Sequence, residues 1–238
     1  MSVTEGTFYG VGLGPGDPEL MTVRAHTLLQ RVPTICAPVR NPGGRSYALQ
    51  IADHLIDASR QRVEILAFPD SGTGWRDHVE RMVGLLTLGD VAFLTEGDPL
   101  LYSTFIGVLR ELQDHHPHVS VSIVPGVSAP MAAAAAATWP LADDEQRLAI
   151  LPAMYALETL PDTLQRFDTV VLLKVSSVLD RVLECVERVA PETHVLHVRR
   201  VGRAEQSVIS GVDRIRTARQ EIKDDYLSLL IVSRGVTG

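Results

Sequence analysis

"FYGVGLGPGDPEL" (residues 8–20) places glycine at every second position, Gly10, Gly12, Gly14 and Gly16, before Asp17-Pro18. The apolar lead-in followed by this run reads as a β-strand entering a Gly-rich turn, the opening of a βαβ unit. A dinucleotide loop is G-x-G-x-x-G with an acidic residue about 20 positions later. Here the spacing is G-x-G-x-G-P-G, and residues 30–35 (QRVPTI) supply no acid. Pro15 also interrupts the row of N–H groups that would cradle a pyrophosphate. A P-loop is excluded as well, because no G-K-[ST] follows. Taken alone, the loop favours a tight turn that needs only glycine conformations.

Outward from this loop, strand-like and helix-like stretches alternate. "TVRAHTLLQRV" reads as a helix, "PTICAPV" as a strand, "SYALQIADHLI" as a helix and "RVEILAF" as a strand. In "WRDHVERMVGLL" the residues Val79, Met82, Val83 and Leu86 mark one helical face. "GDVAFLT" leads as a strand into the loop "EGDP", followed by the helix "TFIGVLRELQ" and the strand "VSVSIVPG". This alternation predicts a mostly parallel sheet covered by helices. "SAPMAAAAAATWPL" predicts a helix closed by Trp139-Pro140 and places a domain boundary near residues 128–143. The expected domains are 1–130 and 131–238. The second begins again with strand and helix, and the neighbouring strands "THVLHVRRV" and "EQSVISG" predict a mixed sheet. The fold class is α/β, with two α/β domains.

Composition narrows the function. The chain has 238 residues, 45% apolar and 21% charged, as expected of a globular protein with a sizeable core. No apolar run approaches membrane-spanning length. The opening "MSVTEGTFYG" lacks the basic and apolar regions of a secretory signal, and Cys36 and Cys185 are far apart, so a cytoplasmic protein with reduced thiols is expected. A net charge of −7 argues against non-specific nucleic-acid binding. It leaves room for an anionic small molecule held by a local arginine cluster.

Two further strand-to-loop junctions, "FLTEGDPLLYSTF" and "VPGVSAPMAAA", join the first. In open α/β sheets ligands bind at the carboxyl ends of strands, so three such loops together predict a pocket. "GVGLGPGDPELMT", "LTEGDPLLYSTF" and "VPGVSA" resemble the signature segments of the tetrapyrrole methylase family, S-adenosylmethionine-dependent enzymes of cobalamin and sirohaem synthesis. "TEGDPLLYSTF" and "PVRNPGGRSYALQIA" resemble the branch that methylates carbon 20 of precorrin-2. The likeness runs through the closing "YLSLLIVSRG".

The resemblance implies two α/β domains with the active site in the cleft between them, S-adenosylmethionine as methyl donor, no metal, and a homodimer. It implies cofactor contacts from Pro15, Glu96, Gly97, Asp98, Leu101, Ser128, Ala129, Lys174 and Gly202. It places the Gly-rich loop, with Gly12 and Gly14, on the substrate side, where bare backbone leaves room for a flat macrocycle. Precorrin-2 carries eight carboxylates, which calls for arginines. Arg40 and Arg45 flank a Gly-Gly loop at a strand end, and they and Ser46 are expected to bind substrate. Arg199, Arg200 and Arg203 are further possibilities, of which alternation along a strand lets at most two point one way. Asp98 serves either the sulfonium charge or a turn before proline, and the resemblance favours the cofactor.

Methyl transfer from a sulfonium to an electron-rich carbon requires alignment rather than an activated nucleophile. A base for the carbon-20 proton is open among Glu96, Asp17, Tyr102 and His197, and Asp17 is equally a helix cap. The histidines of "DHHPH" are expected at a helix end stopped by Pro117, where the dipole favours them. The sequence leaves open whether the macrocycle carries cobalt. It also leaves methylation at another ring position as an alternative.

Overall fold

A five-stranded, wholly parallel sheet organises the first half of the chain. Its strands are β1 (Phe8–Gly12), β2 (Thr34–Val39), β3 (Arg62–Ala67), β4 (Val91–Thr95) and β5 (Val121–Val124), in the order β3-β2-β4-β1-β5. The structure is a computed structural model and describes residues 6–68, 74–219 and 225–235. The chain divides into two compact units, 1–128 and 129–238.

Alternation along the central strands sends side chains to two apolar layers, as a parallel sheet covered on both faces requires. Phe8, Phe93, Phe105, Met82 and Leu112 fill one layer, beneath α3 (Trp75–Leu85) and α4 (Thr104–His115). Val11, Ile35, Leu94, Leu28 and Ile51 fill the other, beneath α1 (Val23–Leu29) and α2 (Tyr47–Ala52). Helix starts follow side-chain chemistry. The Thr22 hydroxyl accepts from the Ala25 N–H at 3.2 Å, and the Ser46 hydroxyl from the Leu49 N–H at 3.2 Å.

The chain leaves β1 for β2 on one side and leaves β4 for β5 on the other. The strand order therefore reverses between β1 and β4, whose carboxyl ends mark the switch point where ligands enter open sheets. The Gly-rich loop follows β1 and the EGDP loop follows β4.

In the second unit α5 (Ala129–Ala137) comes first, and α6 (Ala153–Ala156) and α7 (Leu160–Arg166) follow. The sheet then comprises β6 (Leu148–Pro152), β7 (Thr169–Leu173), β8 (His194–Arg199), β9 (Ser207–Ser210) and β10 (Ser228–Ser233), ordered β6-β7-β10-β8-β9. Among the described residues only β6 and β7 pair in parallel; β7/β10, β10/β8 and β8/β9 are antiparallel. The expected pairing of "THVLHVRRV" with "EQSVISG" is present as β8 and β9. Leu172, Val195 and Leu230 share one face with Leu179, Leu183 and Val186 of α8 (Leu179–Val189). No helix among the described residues is long and apolar enough to cross a membrane.

Candidate active site

The glycines of the opening stretch serve different ends. Gly10 seats the Phe105 ring of α4, which lies where a Cβ would project. At Gly12 a Cβ would stand 2.6 Å from the Gly126 amide nitrogen and 2.7 Å from the Gly97 carbonyl oxygen. Gly14, at φ +82°, forms an isolated antiparallel bridge with Gly97, at φ +65°. The space that glycine leaves at Gly12 is thus taken by two neighbouring loops rather than left for a macrocycle. Carboxyl ends of parallel strands lie about 5 Å apart, and backbones without side chains close that gap.

Asp98 supplies the side-chain tie. Its Oδ1 accepts from the Leu100 N–H at 2.9 Å, and its Oδ2 from the Gly126 N–H at 3.1 Å, 28 residues away. The loops after β4 and β5 are therefore joined through one carboxylate. A weaker tie runs from the Thr22 hydroxyl to the Pro125 carbonyl at 3.5 Å. Pro15, Gly97 and Pro99 are buried within this arrangement, while Leu100 and Tyr102 are exposed. Tyr102 holds left-handed backbone at φ +50°, a conformation that persists in a non-glycine residue only where its surroundings impose it.

The other expected residues of this unit lie at the same edge of the sheet. Arg40 and Arg45 are exposed in the loop after β2, around a turn closed by the Gly44 N–H on the Asn41 carbonyl at 3.0 Å. Ser46 is buried, its hydroxyl used as the α2 cap. Asp17 likewise caps a turn, accepting from the Glu19 N–H at 2.9 Å. Ser128 closes the unit and Ala129 opens α5.

In the second unit Lys174 follows β7 and Gly202 follows β8. Both strands run opposite to β10, so both residues lie at the edge where β10 begins. Lys174 (φ +56°) donates its N–H to Ser228, and Arg200 (φ +49°) donates its N–H to Leu227. The Lys174 ammonium stands 5.2 Å from the Tyr226 ring centroid, a cation–π contact. Arg199 and Arg200 both reach Asp225, at 3.6 and 2.9 Å. Strand alternation would separate these two arginines, but β8 ends at Arg199 and the left-handed turn of Arg200 brings both to one carboxylate. Asp225 and Tyr226 carried no signal in the sequence, because their partners lie 25 or more residues away.

His197 does not reach the site. It is wholly buried, paired in register with Leu230 on the face packed under α8, and among the described residues neither ring nitrogen has a hydrogen-bond partner. Burial first, then the Arg199 charge, lowers its pKa to about 4. A ring with no exposed surface cannot take a proton from a bound macrocycle, so His197 is removed from the possible bases. The histidines of "DHHPH" fall at the α4 end, where the His116 ring lies 3.3 Å from Glu80.

The loops after β1, β4 and β5 contain no lysine or arginine over residues 8–20, 94–105 and 122–130, and contain Asp17, Glu19, Glu96 and Asp98. This lip suits a cationic ligand and would repel a bare phosphate.

The family model for Tetrapyrrole (Corrin/Porphyrin) Methylases matches residues 7–214. A Methanocaldococcus jannaschii protein named "Probable cobalt-precorrin-2 C(20)-methyltransferase" is 34% identical over 232 residues, covering 95% of each chain. The "Precorrin-2 C(20)-methyltransferase" of Sinorhizobium sp is 26% identical over 245 residues, again covering 95% of each. Among solved structures, the uroporphyrin-III C-methyl transferase of Thermus thermophilus complexed with S-adenyl homocysteine superposes with a TM-score of 0.68 at 22% identity, covering 96% of this chain and 97% of that one.

Proposed function

The chain belongs to the tetrapyrrole (corrin/porphyrin) methylase family, and from that premise we propose that it methylates carbon 20 of a precorrin-2-type macrocycle. It is a tetrapyrrole C-methyltransferase that uses S-adenosylmethionine. The position on the ring rests on one observation, the 34% identity across 95% of both chains with a relative named for carbon 20. Relatives named for the cobalt form and for the metal-free form both match, so both macrocycles belong in the test.

The residues present fit the cofactor. S-adenosylmethionine supplies an electrophilic methyl: the macrocycle's meso carbon forms the new bond, the S–C electron pair stays on sulfur, and a proton leaves carbon 20. Asp17, Glu19 and Glu96 on the loops after β1 and β4 favour the sulfonium, and the tied loops offer fixed backbone. Pro15, Glu96, Gly97, Leu101, Ser128, Ala129, Lys174 and Gly202 are proposed to contact it, with Asp98 through its backbone. Arg40 and Arg45 are proposed to take substrate carboxylates, and Gly12 and Gly14 to shape the floor between them. Glu96, Asp17 and Tyr102 remain as acceptors for the proton.

The test is anaerobic incubation with S-adenosylmethionine and metal-free precorrin-2, with cobalt-precorrin-2 in parallel. One added methyl, placed on carbon 20 by isotope-labelled NMR, is the expected result. No methyl on either macrocycle, with the cofactor still bound, would overturn the ring position.

A further inference from the structure

We propose that Asp98 is a positioning residue whose carboxylate ties the loop after β4 to the loop after β5, and that it does not serve as the counter-charge of the sulfonium. The inference rests on the methyltransferase reading above and concerns how that site is held.

At Gly12 and Gly126 an added Cβ would stand within 3 Å of backbone of the neighbouring loops, the Gly97 carbonyl oxygen among it. The first and second loops are joined by the Gly14–Gly97 bridge, with N···O distances of 3.3 and 2.7 Å. The second and third are joined by Asp98. Each carboxylate oxygen faces an N–H dipole, Leu100 at 2.9 Å and Gly126 at 3.1 Å. Hydrogen bonds to a carboxylate acceptor are the strong ones, and both oxygens of Asp98 already have donors within the protein. Removing the carboxylate would leave the Gly126 N–H without its partner and release the loop that leads to Ser128.

The two roles separate because S-adenosylmethionine is a cation at sulfur and S-adenosylhomocysteine is a neutral thioether. Affinities for both are measured by calorimetry on the wild type, Asp98→Asn and Asp98→Ala, at a temperature where each remains folded. Asparagine offers one oxygen to two N–H groups and so loses one bond. A tie predicts that both ligands weaken together, by about tenfold or more in Asp98→Asn and further in Asp98→Ala. Their ratio stays within about twofold of the wild type. S-adenosylmethionine weakening about tenfold more than S-adenosylhomocysteine would make Asp98 the counter-charge and overturn the proposal. Unchanged affinity for both would overturn it too.

Amide hydrogen exchange at Gly126 reads the tie without any ligand and should accelerate in either variant; unchanged exchange defeats the proposal. If the wild type binds neither ligand, the methyltransferase reading fails while the exchange experiment still decides the tie. If Asp98→Ala does not fold, Asp98→Asn carries the test.

Discussion

Gly14 and Gly97 face each other across the switch point of the parallel sheet, each donating its N–H to the other's carbonyl. Open parallel sheets usually part there to admit a ligand. Here the crevice is closed by a seam of backbone.

That seam predicts two opposite outcomes for the same substitution. Gly126→Ala puts a methyl against the Gly97 carbonyl and the Gly12 backbone; it should cost about 1–3 kcal/mol in urea unfolding and weaken S-adenosylhomocysteine binding. Gly84→Ala adds a methyl to the interior of α3 with nothing within 4 Å. It should raise stability by about 0.5–1 kcal/mol and leave binding unchanged.

His197 gives the fold a pH dependence. Its folded pKa of about 4 lies below the ordinary 6.5, mainly through burial, with Arg199 and Arg219 adding to the effect and Asp225 opposing it. The unfolded chain then binds the extra proton between these values, so this contribution is complete above about pH 6.5 and is lost as the pH falls toward 4. The loss amounts to about 3 kcal/mol. His197→Leu should flatten the urea-unfolding midpoint over that window while leaving catalysis at pH 7.5 near the wild-type rate; an unchanged slope would count against the assignment.

Ser46 is predicted to act through its helix. Ser46→Ala should lower stability by about 1 kcal/mol, and Ser46→Asp, which restores a capping oxygen, should recover most of it. With the hydroxyl already used on the Leu49 N–H, the KM for the macrocycle should stay within about twofold of the wild type.

Arg40 and Arg45 are predicted to act on the substrate instead. Each alanine variant should raise the KM for the macrocycle about tenfold with little change in kcat, the pattern of uniform binding lost. The effect should shrink as salt is raised, and the KM for S-adenosylmethionine should not move. A fall in kcat with an unchanged KM would place these arginines elsewhere.

The alternation of strands and helices was legible because periodicity is local, and the Ala-rich helix because propensity is. The three loops stood out because glycine and proline cluster at their strand ends. The strand order was not legible: β1 in a near-central place is a property of crossovers, not of any window of residues. The close approach of Gly12 to Gly97 and Gly126 was not legible for a related reason, since those neighbours lie far along the chain. His197 looked like a base by residue type, and only its face on β8 showed otherwise. Arg199 and Arg200 followed alternation on paper and escaped it through one left-handed residue.

Because the seam is made of backbone and a single carboxylate, the chain can change the character of its rim without rebuilding its grip. Glu96, Leu100 and Tyr102 lie in the same loop, while the Gly14–Gly97 tie is backbone to backbone and the Asp98–Gly126 tie carboxylate to backbone. A lineage could exchange them one at a time, drifting toward a new macrocycle or a new carbon, while the frame beneath stays in register. Evolvability of this kind needs a part that is held fixed beside a part that is not, and this loop carries both within seven residues, Glu96 to Tyr102.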